Sequence, residues 1–346
     1  MDWRKFIWWE YWEVVLEHGL SVRDRDTVPA PSLRSRRGWP PLNRRIWSAA
    51  LAAFSCLAMG ATAAPPVPAA RQTETELQSV TVEAQRDRAV LERRVKTFVS
   101  SITTAPIQES LAQWQKEMPI CPEVAGLPLD DGEYVLSRLS EIAGAAGASL
   151  APEICSPNLH IIVSSVPDEI IEEWSKRYPW MFGTAGGTKI RQFLKGSAPI
   201  RVWYNTKFFT GEGIPCKTYD GGIEVCEQDA EIAHIRFAAL RDLSSVIVLV
   251  DARQTKGVNI SQLAAYIAMV GLAEIRVNPK LGDAPTILRL FTDFANAPPL
   301  GLSAWDAAYL KALYHTPHDD RTQLSILKAT MLNEVAPPPG YDNNRK

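Results

Sequence analysis

The sequence predicts an α+β domain in which helices pack a mixed β-sheet around one buried central helix. First, the buried-strand pattern of residues 246–250 is followed by a helical segment, residues 260–271, in which only Ser261 and Gln262 are polar. A helix without a polar face belongs inside a fold. Second, further strand-type and helix-type segments occur across residues 88–335, which we interpret as a single domain. Third, this region contains four cysteines, an even number that favours disulfide bonds.

Periodic apolar patterns give the order of the elements. Predicted helices, by the spacing of their apolar residues, are 89–102, 130–147, 167–174, 260–271, 283–291, 304–314 and 322–335. Predicted strands, from runs of β-branched and aromatic residues, are 159–164, 200–204, 232–237 and 246–250.

Capping residues set several helix boundaries. Asn259 is a plausible N-cap of the central helix and Gly271 its C-terminal stop. Asp130 or Asp131 opens the second predicted helix, with Glu133 completing a capping pair with Asp130. Ser303, followed three residues later by an aspartate, predicts a capped helix start.

The charge balance excludes one large class of partners. The chain of 346 residues has 37 basic and 39 acidic side chains, and its sequence pI is about 6.3. Such a chain has no electrostatic field that would attract nucleic acid or an anionic membrane surface. We therefore expect no nucleic-acid partner.

Residues 44–63 have the three parts of a secretory signal peptide: the basic pair RR, the apolar run IWSAALAAFSCLAMG and the small-residue site ATA. A membrane anchor and a buried helix are the alternatives. The apolar run is shorter than the about 20 residues that span a bilayer. We expect cleavage near Ala63–Ala64, and a periplasmic or secreted protein with no transmembrane span after cleavage.

The segments around this signal are expected to lie outside the domain. Residues 1–43, rich in Trp and Arg, precede the signal, so we expect the true translation start downstream of Met1; a long targeting extension is the alternative. Residues 64–87 are Pro/Ala-rich and then polar, which predicts a flexible tether. Residues 336–346 are predicted to be a disordered tail.

Four cysteines remain after cleavage, and their context predicts their pairing. Cys216 and Cys226 lie symmetrically about Gly221, in a sequence typical of a β-hairpin. A hairpin places them opposite each other, within disulfide reach. By elimination, Cys121 pairs with Cys155. A zinc site would need paired CxxC spacings, which the sequence lacks.

The central helix resembles the zinc-binding helix of metzincin proteases, HExxHxxGxxH. The segment AAYIAMVGL has its glycine in register at Gly271. In zincins the two histidines of HExxH hold zinc and the glutamate activates water. The positions of the motif's metal ligands and general base are occupied here by other residues: Ala264, Ala265, Ala268 and Glu274.

A second stretch extends this resemblance to residues 245–316. The sequence SAWDAAYLKALYHTP is similar to the C-terminal region of an uncharacterised exported bacterial domain family related to zincins. The resemblance implies a zincin-like fold without zinc chemistry, because alanine neither binds a metal nor moves a proton. The alternative is a core helix of an unrelated fold.

Two other groups of residues are candidates for function. His315, His318 and Asp319 form an HxxHD sequence that could hold a divalent metal; the alternative is a helix end, with imidazoles near the last carbonyls. Several aromatic residues could line a sugar- or peptide-binding groove, although such residues also form cores: Trp174, Tyr178, Trp180 and Trp203.

These observations favour an uncharacterised exported protein that acts as a non-catalytic binding or envelope-associated module, with no cofactor. Its partner would be a protein or another ligand of the cell envelope. The alternative is a metal-dependent hydrolase or peptidase whose site lies outside the central helix, with His315, His318, Asp319 and Glu274 as candidate ligands.

Overall fold

A computed structural model describes residues 73–104, 110–183, 187–210, 213–219, 223–226, 240–292, 298–318 and 322–336. The chain divides into two compact units after Val80, and the features below belong to the second, Thr81–Lys346, except for the start of the first helix at Thr73. The predicted signal peptide, the segment before it and the predicted strand 232–237 lie outside the described residues.

The described residues contain seven α-helices and six β-strands. The helices are α1 Thr73–Ile102, α2 Leu129–Ala146, α3 Pro167–Arg177, α4 Gly187–Leu194, α5 Ile260–Leu272, α6 Ala304–His315 and α7 Gln323–Val335. The strands are β1 Pro122–Ala125, β2 Leu159–Ser164, β3 Ile200–Phe209, β4 Lys217–Tyr219, β5 Ile223–Val225 and β6 Leu240–Asp251. Short 3₁₀ turns occupy Pro179–Phe182 and Ile287–Arg289.

Four of the strands form a mixed sheet in the order β1-β2-β6-β3. Strands β1, β2 and β6 are parallel, whereas β3 runs antiparallel to β6. Val248 of β6 lies beside Ile161 of β2 and Val202 of β3. Strands β4 and β5 form a separate antiparallel pair. The structure therefore confirms a mixed sheet combined with helices.

Both faces of strand β6 are buried. Val246, Val248 and Val250 point into the main core, whereas Ile247 and Leu249 are buried outside that cluster, on the opposite face of the strand. A strand covered on both faces reads as an uninterrupted apolar run rather than an alternating one. This explains why residues 246–250 were recognisable from sequence, whereas the partly exposed start of β6 at Leu240 was not.

Helix α5 lies in the main core, as predicted. It packs against α2, α6 and strand β6. The Asn259 side chain accepts a hydrogen bond from the Ser261 N–H, and the Gln262 side chain accepts one from the Asn259 N–H. This capping box satisfies donors that would otherwise be unpaired at the start of the helix. The predicted N-cap is confirmed.

The predicted role of Gly271 is wrong. The helix continues to Leu272, and its C-cap is Ala273. A β-carbon at Gly271 would lie 3.2 Å from the Leu159 Cδ2 atom of strand β2. Gly271 therefore allows a close approach between helix and sheet, and does not end the helix.

Two predicted helix starts are wrong as well. Helix α2 begins after Pro128, with no side-chain cap, and Asp130 only occupies its first turn. Residues 283–291 form just the 3₁₀ turn Ile287–Arg289, because the Thr286 side chain accepts from the Leu288 N–H and the Asp306 carboxylate accepts from the Ile287 N–H. Such side-chain bonds compete with helix formation.

Part of the predicted tether is helical. Helix α1 begins at Thr73, within the range 64–87, and residues 73–87 contain Glu, Gln and Arg, which favour helices. The predicted helix 89–102 is thus the last part of a longer one. Within the described residues, no helix is both long and apolar enough to cross a membrane.

Both predicted disulfide bonds are present. The Cys121–Cys155 bond joins Cα atoms 6.0 Å apart, and the Cys216–Cys226 bond joins Cα atoms 4.5 Å apart. The first encloses β1 and α2, because Cys121 directly precedes β1 and Cys155 precedes β2. The second brackets the hairpin formed by β4 and β5.

We expect the Cys121–Cys155 bond to contribute more stability than the Cys216–Cys226 bond. The cysteines are 34 and 10 residues apart, and loop-closure entropy assigns about 4 kcal/mol to the longer loop and about 3 kcal/mol to the shorter one. Urea unfolding of two double Cys→Ser variants, one for each bond, measures the difference. The reverse order of stability would contradict the entropic account.

Candidate functional site

Helix α5 has no ligand-type side chain at the positions of the metzincin motif. Ala264, Ala265 and Ala268 are each 0% exposed. Glu274, at the position of the third histidine, forms a bidentate ion pair with Arg241: Nη1 lies 2.9 Å from Oε2 and Nη2 lies 3.1 Å from Oε1. The Arg241 guanidinium also lies over the Phe208 ring. The Glu274 carboxylate is therefore held by a cation in the place where the motif would present a metal ligand.

His315 has a local role at the end of α6. Its Nδ1 atom lies 2.8 Å from the carbonyl oxygen of Lys311, one turn earlier. Its ring faces the left-handed Gly147 at the end of α2, where a β-carbon would lie 3.0 Å from the imidazole. This matches the helix-end alternative, in which imidazole nitrogens meet the last carbonyls of a helix.

His318 occupies a different environment, between the start of β6 and residues 110–115. Its Nε2 atom lies 2.8 Å from the Ser110 Oγ and 3.1 Å from the Arg241 carbonyl oxygen. Its Nδ1 atom lies 2.9 Å from the Gln115 Nε2 and 3.5 Å from the Asp242 Oδ1. We call Ser110, Gln115, Asp242 and His318 the His318 cluster.

The contacts of the His318 cluster indicate which imidazole nitrogen carries the proton. Nε2 faces two carbonyl oxygens, of Arg241 and Leu111, and carbonyl oxygens only accept. Nε2–H is therefore the donor, and the lone pair on Nδ1 accepts from the Gln115 amide. In this state His318 cannot take a proton from the Ser110 hydroxyl, which is buried and accepts from the Arg241 N–H. The cluster contains the residues of a Ser-His-Asp triad without its proton arrangement.

Burial shifts the pKa of Asp242, the carboxylic acid of the His318 cluster. Burial, assisted by the nearby charge of Glu117, raises the pKa of Asp242 to about 6, although a hydrogen bond from Gln115 opposes the shift. Among the described residues no group hydrogen-bonds the Oδ1 atom of Asp242. Its charged form is therefore poorly compensated.

The metal-binding alternative gains no third ligand from these residues. His315 and His318 have separate partners, and Asp319 lies outside the described residues. Within the ranges that the structure describes, no group of three His, Cys, Asp or Glu side chains is arranged to hold a metal ion.

A groove of about 590 Å³ runs between α2 and α6. This volume is within the range of small-molecule sites, about 300–1,000 Å³. Its apolar lining residues are Ile142, Ala145, Ala146, Leu302, Ala304, Ala307, Ala308 and Leu310. Its charged lining residues, Arg138 with Glu141 and Lys311 with Glu334, form ion pairs with each other.

The aromatic residues singled out in the sequence separate into core and surface. Trp174 and Trp203 are buried, 7% and 8% exposed, whereas Trp180 is 68% exposed. Trp203 packs edge-on against Phe182 and Phe193 on the second face of the sheet. A single groove lined by all four of these side chains is therefore wrong: Trp180 is exposed, Tyr178 is half-buried, and the other two belong to the core.

Comparison with known proteins does not identify the chain. No protein-family model, curated protein or solved structure matches it at a significant level.

Asp242 and Ser110 could not be assigned to a site from the sequence. Ser110 and His318 are 208 positions apart, and no local motif surrounds either Ser110 or Asp242. The one signal was the density of ligand-type residues at His315, His318 and Asp319, which pointed to His318 for metal chemistry rather than for hydrogen bonding.

We expect Asp242→Asn to flatten the pH dependence of stability. The folded protein binds this proton more tightly than the unfolded chain does, with a pKa of about 6 against 3.8. The stability gained is present below pH 3.8 and is lost as the pH rises through about 6, on the order of 3 kcal/mol in total. Urea unfolding between pH 4 and pH 7.5 measures it.

Asp283→Asn is the matched control, because the Asp283 side chain is exposed and pairs only at the surface, with Arg94. This variant should keep the wild-type pH dependence. Parallel curves for the wild type and Asp242→Asn would contradict the assignment of the proton to Asp242.

Proposed function

We propose that the protein is an exported, non-catalytic binding module that acts in the periplasm or outside the cell, on a protein or another ligand of the cell envelope. The observation that carries this proposal is the closed packing of helix α5. Ala264, Ala265 and Ala268, at the positions of a metzincin's zinc ligands and general base, contribute only methyl groups to the core. None of these side chains can bind a metal or transfer a proton.

A zincin-like scaffold is part of this proposal. It is supported by the apolar helix α5, which follows a strand of a mixed sheet, and by Gly271, which allows that helix to approach Leu159 closely. One feature differs from the metzincin pattern. The helix follows β6, which lies between β2 and β3, whereas the metzincin helix follows a sheet edge.

Export is supported by the two disulfide bonds. Disulfides persist in oxidising compartments such as the periplasm and the extracellular space, and are rare where thiols are kept reduced. The signal-peptide pattern at residues 44–63 gives the route.

A hydrolase with a site outside α5 is the second candidate. The observation that favours it is the approach of Ser110, His318 and Asp242 to one another. The hydrogen bonds of His318 argue against it, because its Nε2 is the donor to two carbonyl oxygens. A serine nucleophile needs that nitrogen as a proton acceptor.

We expect the purified protein to contain less than one-tenth of an equivalent of zinc or manganese, because no residue of α5 supplies a ligand. Elemental mass spectrometry of protein prepared without chelators or tags measures this content. We also expect no reaction of the wild type with a fluorophosphonate probe, because the nitrogen of His318 that faces Ser110 carries a proton and cannot accept another.

Matched variants connect either result to particular residues. His315→Ala and His318→Ala should leave metal content and activity on peptide and ester panels at background, and Ser110→Ala should leave probe labelling at background. One metal ion per chain that His318→Ala removes would establish the metal-dependent alternative. Labelling that Ser110→Ala removes would establish a serine hydrolase.

A further inference from the structure

Strand β1 lies at one edge of the main sheet, and all four of its residues are partly exposed. Just before β1, the backbone of Ile120 exchanges hydrogen bonds with Ser149 and Ala151, on the side away from β2. The next carbonyl, that of Cys121, accepts from the Leu159 N–H of β2. The backbone therefore faces outward at Ile120 and towards β2 at Cys121.

This alternation determines which backbone groups of β1 face away from the sheet. Successive residues of a strand direct their hydrogen-bonding groups to opposite sides, so Pro122 and Val124 face outward, as Ile120 does. Proline suits such an edge position, because it has no N–H to leave unpaired. Among the described residues, no group bonds the Pro122 carbonyl, the Val124 N–H or the Val124 carbonyl. An open edge of this kind is a template for a further strand.

Acidic side chains lie beside the end of β1 that leads into α2. A β-carbon on Gly132 would lie 3.9 Å from the Cγ1 atom of Val124, so the first turn of α2 is in contact with β1. This turn contains Asp130 and Asp131, and Glu133 follows Gly132. All three acidic side chains are at least partly exposed.

Two more acidic residues lie along the strand and at its start. The side chain of Glu123, in β1 itself, is 37% exposed, and only its Oε1 atom bonds within the described residues, to Nδ1 of His160. The Cys121–Cys155 bond holds the segment before Cys155 beside the start of β1. That segment exposes Glu153.

Basic side chains around β1 do not offset these five acids. Residues 116–158 contain seven acidic and two basic residues. Lys116 is followed directly by Glu117, and Arg138 pairs with Glu141 on the groove side of α2. Besides α2, the main element packed against β1 is β2, whose one titratable side chain is His160. The edge is therefore surrounded by unbalanced negative charge.

We propose that the outer edge of β1 binds an extended, basic segment of a partner protein as an additional strand. The partner's backbone bonds to the Pro122 carbonyl and to both groups of Val124, and its lysine or arginine side chains meet the five acids. A second copy of this edge would instead bring like charges together, which disfavours self-association. This inference rests on the proposed binding function and names the class of partner.

The test is isothermal titration of the purified full chain with two capped hexapeptides, acetyl-KVKVKV-amide and acetyl-EVEVEV-amide. They have the same backbone groups and opposite charge. We expect the lysine peptide to bind, and the glutamate peptide to bind at least about tenfold more weakly. Raising the salt concentration to about 0.5 M should weaken the binding of the lysine peptide, because exposed charges are screened.

Val124→Pro tests the backbone contact, because it removes the outward N–H of β1 and no bond within the sheet. It should weaken binding of the lysine peptide at least about tenfold. Val124→Ala is the matched control: it also loses side-chain contacts but keeps the N–H, so it should retain most of the affinity. Circular dichroism shows whether both variants fold.

A triple variant tests the charges without touching the core: Asp130→Asn, Asp131→Asn and Glu133→Gln together. It should weaken binding of the lysine peptide, and it decides the outcome if Val124→Pro does not fold. Glu141→Gln is its control, because Glu141 lies on the groove side of α2 and pairs with Arg138. This variant should bind as the wild type does.

Four results would overturn the inference: no binding of the lysine peptide, equal binding of both peptides, wild-type binding by the triple variant, or a wild-type dimer that Val124→Pro dissociates. The last would assign the edge to a second copy of the chain. Cleavage of the bound lysine peptide would keep the inference and overturn the non-catalytic function. Since metal content and probe labelling test that function separately, the two proposals can fail independently.

Discussion

The enclosure of helix α5 is the constraint on which the rest of the structure depends. An apolar helix can be stable only if every side is covered, so elements must pack around it on all sides. Strand β6 with the sheet, α2 and α6 supply this cover. The small side chains of α5 make this cover possible, because alanine and glycine leave room for the neighbouring elements to pack closely against the helix. The same alanines carry neither a metal-binding group nor a proton-transferring group, so the close packing of the helix and its lack of such groups have one cause.

Charged side chains that are buried in the domain need hydrogen-bond or ion-pair partners, because they have lost their contacts with water. Asp306 is fully buried, and its carboxylate accepts from the Thr286 hydroxyl and from the N–H groups of Ile287 and Ser303. Arg241 and Glu274 neutralise each other beside the end of α5. These bonds fix the loops around α6 and β6, because breaking one would leave a buried charge without its partner. In the His318 cluster the Oδ1 atom of Asp242 has no hydrogen-bond partner among the described residues, and burial raises the pKa of this carboxyl group.

Local patterns in the sequence were sufficient for much of the fold. Strand 159–164 and the N-cap at Asn259 depend on nearby residues, and both predictions were confirmed. The hairpin symmetry that paired Cys216 with Cys226 is equally local. The failures involve distant contacts: Gly271 was assigned to a helix end because its approach to Leu159 depends on the sheet. The His318 cluster was missed for the same reason, since its members meet only after folding.

The disulfide that encloses β1 and α2 has a consequence for how the domain responds to a protease. A protease that cuts a single peptide bond anywhere between Cys121 and Cys155 opens the loop but leaves both fragments covalently joined. The exposed Ile154 and Leu150 lie in this stretch, in the kind of surface segment that proteases reach first. A nicked molecule would keep its fragments together and its core contacts in place. The bond thus gives the domain tolerance to damage, separately from any effect on its unfolding equilibrium.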